Sequence, residues 1–322
     1  MSPQPTLIGI KTVPIGKQFI TFCVVRNSEI KYKQNGEPYL LLELGDQSGR
    51  LKARIWEKAE EMYREFKRGE IVKIKGVVQK YKDSREVKIL KIRKAVTEDH
   101  ISLEDLLPRS GKELTAMVER LQYHINSIQN RHLKKLLENL FSDESFANAY
   151  YRSPAGKLWH HNYLSGLLEH VILLLDLSEI LAVHYPQLNV DILKTGIICH
   201  DIGKVKEYSL EGYIDFSDEG RLVGYMAMGY EMISREIERL EQFPGELRKH
   251  ILHMMVSHSS PTSTGLQIQP MTLEAIALQR LIQLGEDINA FVRIIDSDIL
   301  PDEKWSKYIP LLERFVCKTV ET

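Results

Sequence analysis

Four stretches of the 322-residue chain carry side chains that can do chemistry: HHNYLSGLLEH (160–170), CHDIGK (199–204), VGYMAMGYE (223–231) and HMMVSHSSP (253–261). Imidazoles and a carboxylate brought together from separate helices suit a divalent metal, Mn²⁺ first, with Fe²⁺, Ni²⁺ or Mg²⁺ as alternatives. An adjacent pair such as His200-Asp201 places one ligand on a metal while the carboxylate bridges to a second. Two metals about 3.5 to 4 Å apart activate a water and hold phosphoryl oxygens during in-line displacement. The same dipeptide is also an ordinary polar end to the apolar run before it. The pair by itself leaves both readings open.

The elements that position these residues follow from composition and periodicity. With 43% hydrophobic and 27% charged residues, the chain is long enough for two or three globular domains. No apolar run approaches the roughly 18 to 20 residues of a membrane span, and the start MSPQPTLIGI lacks the pattern of a signal peptide. Cys23, Cys199 and Cys317 are odd in number and show no CxxC spacing, which argues against a disulfide framework or a zinc knuckle. A cytoplasmic chain with no membrane partner is expected, and self-association stays open.

Charge divides the chain near residue 95. Residues 1–95 hold 21 Lys and Arg against 11 Asp and Glu, a balance of +10, and the remainder balances at −11. A basic domain joined to an acidic one suggests that the first holds a polyanion.

Within the basic part, QFITFCVV, YLLLELGD, RLKARIW, GEIVKIKGVVQKY and REVKILKIRK read as five strands separated by turn signals, with a helical stretch, EKAEEMYREFKRG, between the third and fourth. That order predicts an OB-fold barrel, an architecture that commonly binds oligonucleotides. Lys52, Arg54 and Trp56 alternate with Leu51, Ala53 and Ile55, so one face offers bases a stacking ring and phosphates a counter-charge. Tyr39 and Tyr81 are further stacking candidates, as is Tyr32. In the competing reading, Trp56 and Tyr39 plug the barrel end and the lysines are a solvated face. Residues 96–113 read as a linker, and 114–322 as an all-α domain of amphipathic helices.

The spacing of GLLEH, GIICHDIGKVKEY and SH resembles the HD-domain phosphohydrolase superfamily. More narrowly, NGEPYLLLELGDQSGRLKARIW, SPAGKLWHHNYLSGLLEHV and LNVDILKTGIICHDIGK resemble the YhaM-type 3′→5′ exoribonucleases, which join an OB-fold to an HD domain. The resemblance spans about residues 10–282. It implies that His170, His200 and Asp201 bind metal, with Asp201 bridging, and that His258 serves a second site. It also implies that Lys204 faces a phosphate and that His160 and His161 sit near substrate or assist proton transfer. A helix-terminal charge for Lys204 and a core position for one of the two histidines are the competing readings.

Three positions depart from the pattern of such proteins. Tyr225 stands where Gly-His-Ile places a histidine, Ser259 follows His258 where a second histidine is usual, and Ile282 takes an aspartate position, with Gln279 at a histidine position. Glu286 lies one turn beyond Ile282, about 6 Å along the axis on nearly the same face.

Two functions therefore compete. One is a metal-dependent 3′→5′ exoribonuclease-like phosphodiesterase acting on single-stranded RNA or DNA. The other is a catalytically degenerate protein that binds single strands or regulates. A nucleotide phosphohydrolase with the barrel as a tether is a third reading. Metal binding is expected to weaken as pH falls through the histidine range, since imidazole must be neutral to ligate.

Overall fold

The computed structural model describes residues 7–81, 84–157, 160–210, 213–258, 268–297, 299, 303–310 and 312–318. The chain forms two compact units, residues 1–109 with 209–215 and residues 110–208 with 216–322.

The first unit is a closed barrel of β1 (Gln18–Tyr32), β2 (Pro38–Asp46), β3 (Gly49–Ile55), β4 (Ile71–Tyr81) and β5 (Ser84–Lys94), with α1 (Ala59–Glu65) between β3 and β4. Its strand order is β1-β2-β3-β5-β4, and β4 closes back onto β1. All pairings are antiparallel except β3 with β5, where Lys52 to Arg54 run parallel to Glu86 to Lys88. Period-2 burial drives this closure. On β2, Leu40, Leu42 and Leu44 are fully buried while Tyr39, Leu41 and Glu43 are not. The first strand runs well past the apolar segment QFITFCVV, because a bulge between Val25 and Asn27 re-registers it against β2 and carries the pairing on to Tyr32.

Phe66, 1% exposed, and Ala59 join the barrel core from α1 and the residue after it. They take the plugging role that the sequence left open for Trp56 and Tyr39. The expected linker is part of this unit as far as Arg109. Leu106 packs with Phe22 and Val24, and Asp99 is held by Arg93 and Lys73, so apolar and ionic contacts dock the acidic tract on the barrel.

The second unit contains α2 (Leu114–Ser127), α3 (Arg131–Ser142), α4 (Glu144–Arg152), α5 (Gly166–His184), α6 (Val190–Cys199), α7 (Lys204–Glu207), α8 (Asp218–Leu222), α9 (Tyr225–Arg239), α10 (Gly245–Ser257) and α11 (Leu273–Ser297). Between α7 and α8 the chain forms a two-stranded ladder that joins β6 (Tyr208–Ser209) to β7 (Asp215–Phe216), a piece too short for periodicity to announce. The core runs through α5 and α6. Every residue of α6 from Ile192 to Cys199 is buried, and the Asn189 side chain caps its start by accepting from Ile192 N at 3.1 Å. Among the described residues, no helix is long and apolar enough to cross a membrane.

Candidate functional site

His200 is the first residue beyond the buried helix α6, and Asp201 follows in the turn before α7. His170 faces them from the second turn of α5, and His258 ends α10. Close backbone approach makes this convergence possible. A Cβ on Gly166 would fall 2.0 Å from the His161 carbonyl oxygen, and one on Gly203 would fall 2.0 Å from that of Tyr225. Only glycine lets the HH loop lie on α5 and the start of α9 lie on the HDIGK turn. His161 adopts φ 44°, held by its N–H donating to Asn289 Oδ1 at 3.2 Å and its carbonyl accepting from Ala155 N at 3.2 Å.

The ligand atoms of His170, His200 and Asp201 all lie within 4.8 Å of one another, and all three residues are buried. The His170 ring centre is 5.7 Å from that of His200, 5.6 Å from His160 and 5.5 Å from His161.

Hydrogen bonds fix which nitrogens carry protons. A carbonyl oxygen only accepts, so His200 Nδ1 donates to Ile197 O at 2.7 Å. Its Nε2 lies 3.2 Å from Asp201 Oδ2. Glu169 accepts from Ser110 at 2.7 Å and from the Tyr163 hydroxyl at 2.9 Å. Tyr163 therefore accepts from His161 Nδ1 at 2.8 Å, leaving His161 Nε2 bare. Both nitrogens of His170, Nε2 of His161 and Nε2 of His200 are buried without a hydrogen-bond partner. Each such orphan costs about 1 to 3 kcal/mol. Buried imidazole nitrogens without hydrogen-bond partners, converging beside a carboxylate, fit a divalent cation.

Burial works to raise the Asp201 carboxyl, but His200, Lys204 and His258 outweigh it and hold it well below the usual carboxylate range. Lys204 Nζ lies 2.6 Å from Asp201 Oδ2, also donates to Ala155 O, and sits 5.0 Å from the Tyr225 ring centre. It is buried at the start of α7, a helix of a single turn. Its ammonium faces Asp201 within the protein.

His258 borders the three-residue cluster, its ring centre 5.3 Å from that of His200. Its Nδ1 donates to Met254 O at 3.2 Å, and its Nε2 is 4.0 Å from Asp201 Oδ1. Nε2 is also 3.5 Å from the Tyr225 hydroxyl. Tyrosine at 225 thus puts a donor, not a ligand, against the expected second-site histidine. Ile282 lies in the hydrophobic core at 7% exposed. Ser259 lies outside the described residues.

Two groups in the site were missed or under-weighted by spacing. The Tyr163–Glu169 relay is one, legible only as a tyrosine and an acid flanking the GLLEH helix start. Glu286 is the other, its Oε1 lying 3.3 Å from His160 Nε2. Burial, opposed by Lys204, pushes its carboxyl up to about 7.

On the barrel, Trp56 is 46% exposed, 4.8 Å from the Tyr39 ring, with Lys33 Nζ 5.3 Å from its ring centre. Tyr32 and Lys52 are exposed as expected. Arg54 is not the free phosphate contact that strand alternation suggested. Its guanidinium pairs with buried Glu86 and lies 4.0 Å from the Tyr81 ring centre, so its charge is met inside the barrel wall and one face of Tyr81 is covered.

Residues 24–95 match the OB-fold nucleic acid binding domain, and residues 167–281 match the HD domain. A protein of Bacillus velezensis described as 3′-5′ exoribonuclease YhaM is 30% identical over 306 residues, 95% of this chain and 96% of that one. The chain belongs to the YhaM family of 3′-5′ exoribonucleases. YhaM relatives from a Geobacillus strain and from Bacillus subtilis are each 28% identical, over 97% and 95% of this chain and 95% and 96% of their own. Among solved structures, a replication protein A domain of Methanococcus maripaludis aligns with 28% of this chain and 94% of its own at 18% identity, with a TM-score of 0.24. Family membership covers both units, so the barrel and the histidine cluster of this YhaM-family chain belong to one nuclease or phosphohydrolase architecture.

Burial changes the expected pH response. It lowers His160 to about 3, with Lys204 adding to the effect, and lowers His258 to about 4, with His200 adding. It also lowers His161 to about 4, against the pull of Glu169. These three imidazoles thus stay neutral well below pH 6.5. The cost falls on folding. Unfolded histidines take up protons near pH 6.5 while these three do not, so stability is lost as pH falls from about 6.5 toward 4. Each histidine contributes about 1.4 kcal/mol per pH unit. Glu286, raised in the folded state, offsets part of this between its ordinary value and about 7. Urea midpoints measured in chelator should fall steadily from pH 6.5 to 4.5. A flat profile would show that these histidines titrate normally.

Proposed function

We propose that the chain is a metal-dependent 3′→5′ phosphodiesterase that shortens single-stranded RNA, built around one divalent ion where the family pattern suggests two. The observation that carries this reading is the set of orphaned imidazole nitrogens of His161, His170 and His200 converging beside Asp201. His170, His200 and Asp201 would hold the ion, Mn²⁺ suiting a mixed nitrogen and oxygen donor set. When bound there, a divalent ion supplies Lewis acidity toward a phosphodiester oxygen and acidifies a water.

The chain's own residues do the rest. The relay from Glu169 through Tyr163 keeps His161 Nε2 unprotonated and able to accept a proton from an incoming water. Lys204 balances the Asp201 charge and presents a buried ammonium toward a phosphoryl group. The Tyr225 hydroxyl satisfies His258, leaving that imidazole as a support for the site. On the barrel, Trp56 and Tyr39 offer bases a stacking surface, and Lys33 and Lys52 offer phosphates counter-charge.

Incubating the chain with 5′-labelled RNA and DNA single strands, with Mn²⁺ or with chelator, tests this. Metal-dependent shortening from the 3′ end that is lost in Asp201→Asn supports it. Binding without shortening supports the second reading, a single-strand-binding protein with a degenerate site, which the Lys204–Asp201 pair and the apolar Ile282 favour.

The barrel surface makes its own prediction. Trp56→Ala should weaken single-strand binding by about 1 to 3 kcal/mol, the range for loss of one base-stacking ring. Fluorescence anisotropy with a labelled oligonucleotide measures it, and undiminished affinity in a folded variant removes Trp56 from the interface.

A further inference from the structure

We propose that Glu286 is a ligand of the metal centre, supplying from α11 the carboxylate that Ile282 cannot. The proposal rests on the metal reading above and deepens it by completing the donor set.

Helix α11 passes directly beside the cluster. A Cβ on Gly285 would lie 3.6 Å from His170 Cε1, so the backbone at that point borders the imidazole that most lacks partners. Residue 286, the next along, turns its side chain toward His160, with Oε1 3.3 Å from Nε2. The His160 ring in turn lies 5.6 Å from that of His170. Ile282, one turn earlier on nearly the same face, is buried among apolar side chains and offers no donor. A carboxylate at 286 is therefore the acidic group that α11 brings to this side of the cluster.

Charge supports the assignment. Asp201 is shared with the Lys204 ammonium at 2.6 Å, so its negative charge is already matched. A divalent ion among neutral imidazoles and that neutralised pair would remain a buried, uncompensated charge, which is strongly unfavourable. A second carboxylate reduces the deficit. The glutamate side chain is 40% exposed, which leaves it room to swing onto the ion.

Calorimetric titration of Mn²⁺ into the chelator-stripped full chain at pH 7.5 tests this, comparing wild type, Glu286→Gln, Glu286→Ala and Asp201→Asn. One ion per wild-type chain is expected. Glu286→Gln should bind at least tenfold more weakly and Glu286→Ala no better than that, with melting in chelator unchanged to show that both are folded. Wild-type affinity in both Glu286 variants, with loss in Asp201→Asn, would remove Glu286 from the donor set and leave the metal reading intact. No uptake by wild type would overturn both.

Discussion

Asp201→Asn should lose roughly 100-fold or more in Mn²⁺ affinity and, independently, lower the stability of the metal-free protein by about 3 to 5 kcal/mol. The first effect follows because the ion loses the carboxylate that lies among the imidazole nitrogens, a change larger than the 10- to 100-fold typical of residues that only orient a ligand. The second follows from Lys204. Its ammonium is buried, 2.6 Å from Asp201 Oδ2, and asparagine keeps the oxygen but removes the charge that balances it. Calorimetry and urea unfolding of the same preparations measure the two effects separately. Equal metal affinity in the folded variant would make the His-Asp pair a structural feature and end the nuclease reading.

Ile282→Asp has the second largest effect, and its sign depends on metal. Without metal, a carboxylate replaces a core side chain that is 7% exposed, and an unpaired buried charge costs about 3 to 5 kcal/mol. For a unit of this size, that lowers the melting midpoint by roughly 10 °C. With saturating Mn²⁺, the new carboxylate gains an ion, and most of the loss should return through binding to the native state. Differential scanning fluorimetry across a Mn²⁺ series measures both arms. A midpoint that stays low at every concentration would show that no ion comes within reach of position 282.

Much of the barrel was legible because its strands alternate with period 2 and its turns carry Asn35-Gly36 and Ser48-Gly49. The bulge at Val25 was not, since it reflects how two strands share a closing sheet and leaves no mark on alternation. Arg54 shows the same limit. Alternation correctly put it on the face opposite Ala53, but which residue met it depended on β5 pairing in parallel across the barrel, which delivered Glu86. The tract after the last strand shows the same limit. Ile101, Leu103 and Leu106 are scattered among acidic residues with no clear period, yet they pack with Phe22 and Val24 once a barrel surface exists.

In the helical unit, sequence alone determined that histidines and an aspartate recur at helix ends with the spacing of a metal site, because each lies a fixed number of residues from a strong apolar run. Tertiary structure alone decided which of them meet. His170, His200 and Asp201 converge because two glycines allow helices and turns to touch. His258 borders the cluster from the end of α10, with the Tyr225 hydroxyl 3.5 Å from its Nε2. The hydrogen-bond partners of His161, His200 and His258 were likewise invisible in the sequence, since the fold brings carbonyls and a tyrosine–glutamate relay to those rings. Residue type is a local property, whereas a lone pair left without a partner is a property of everything packed around it.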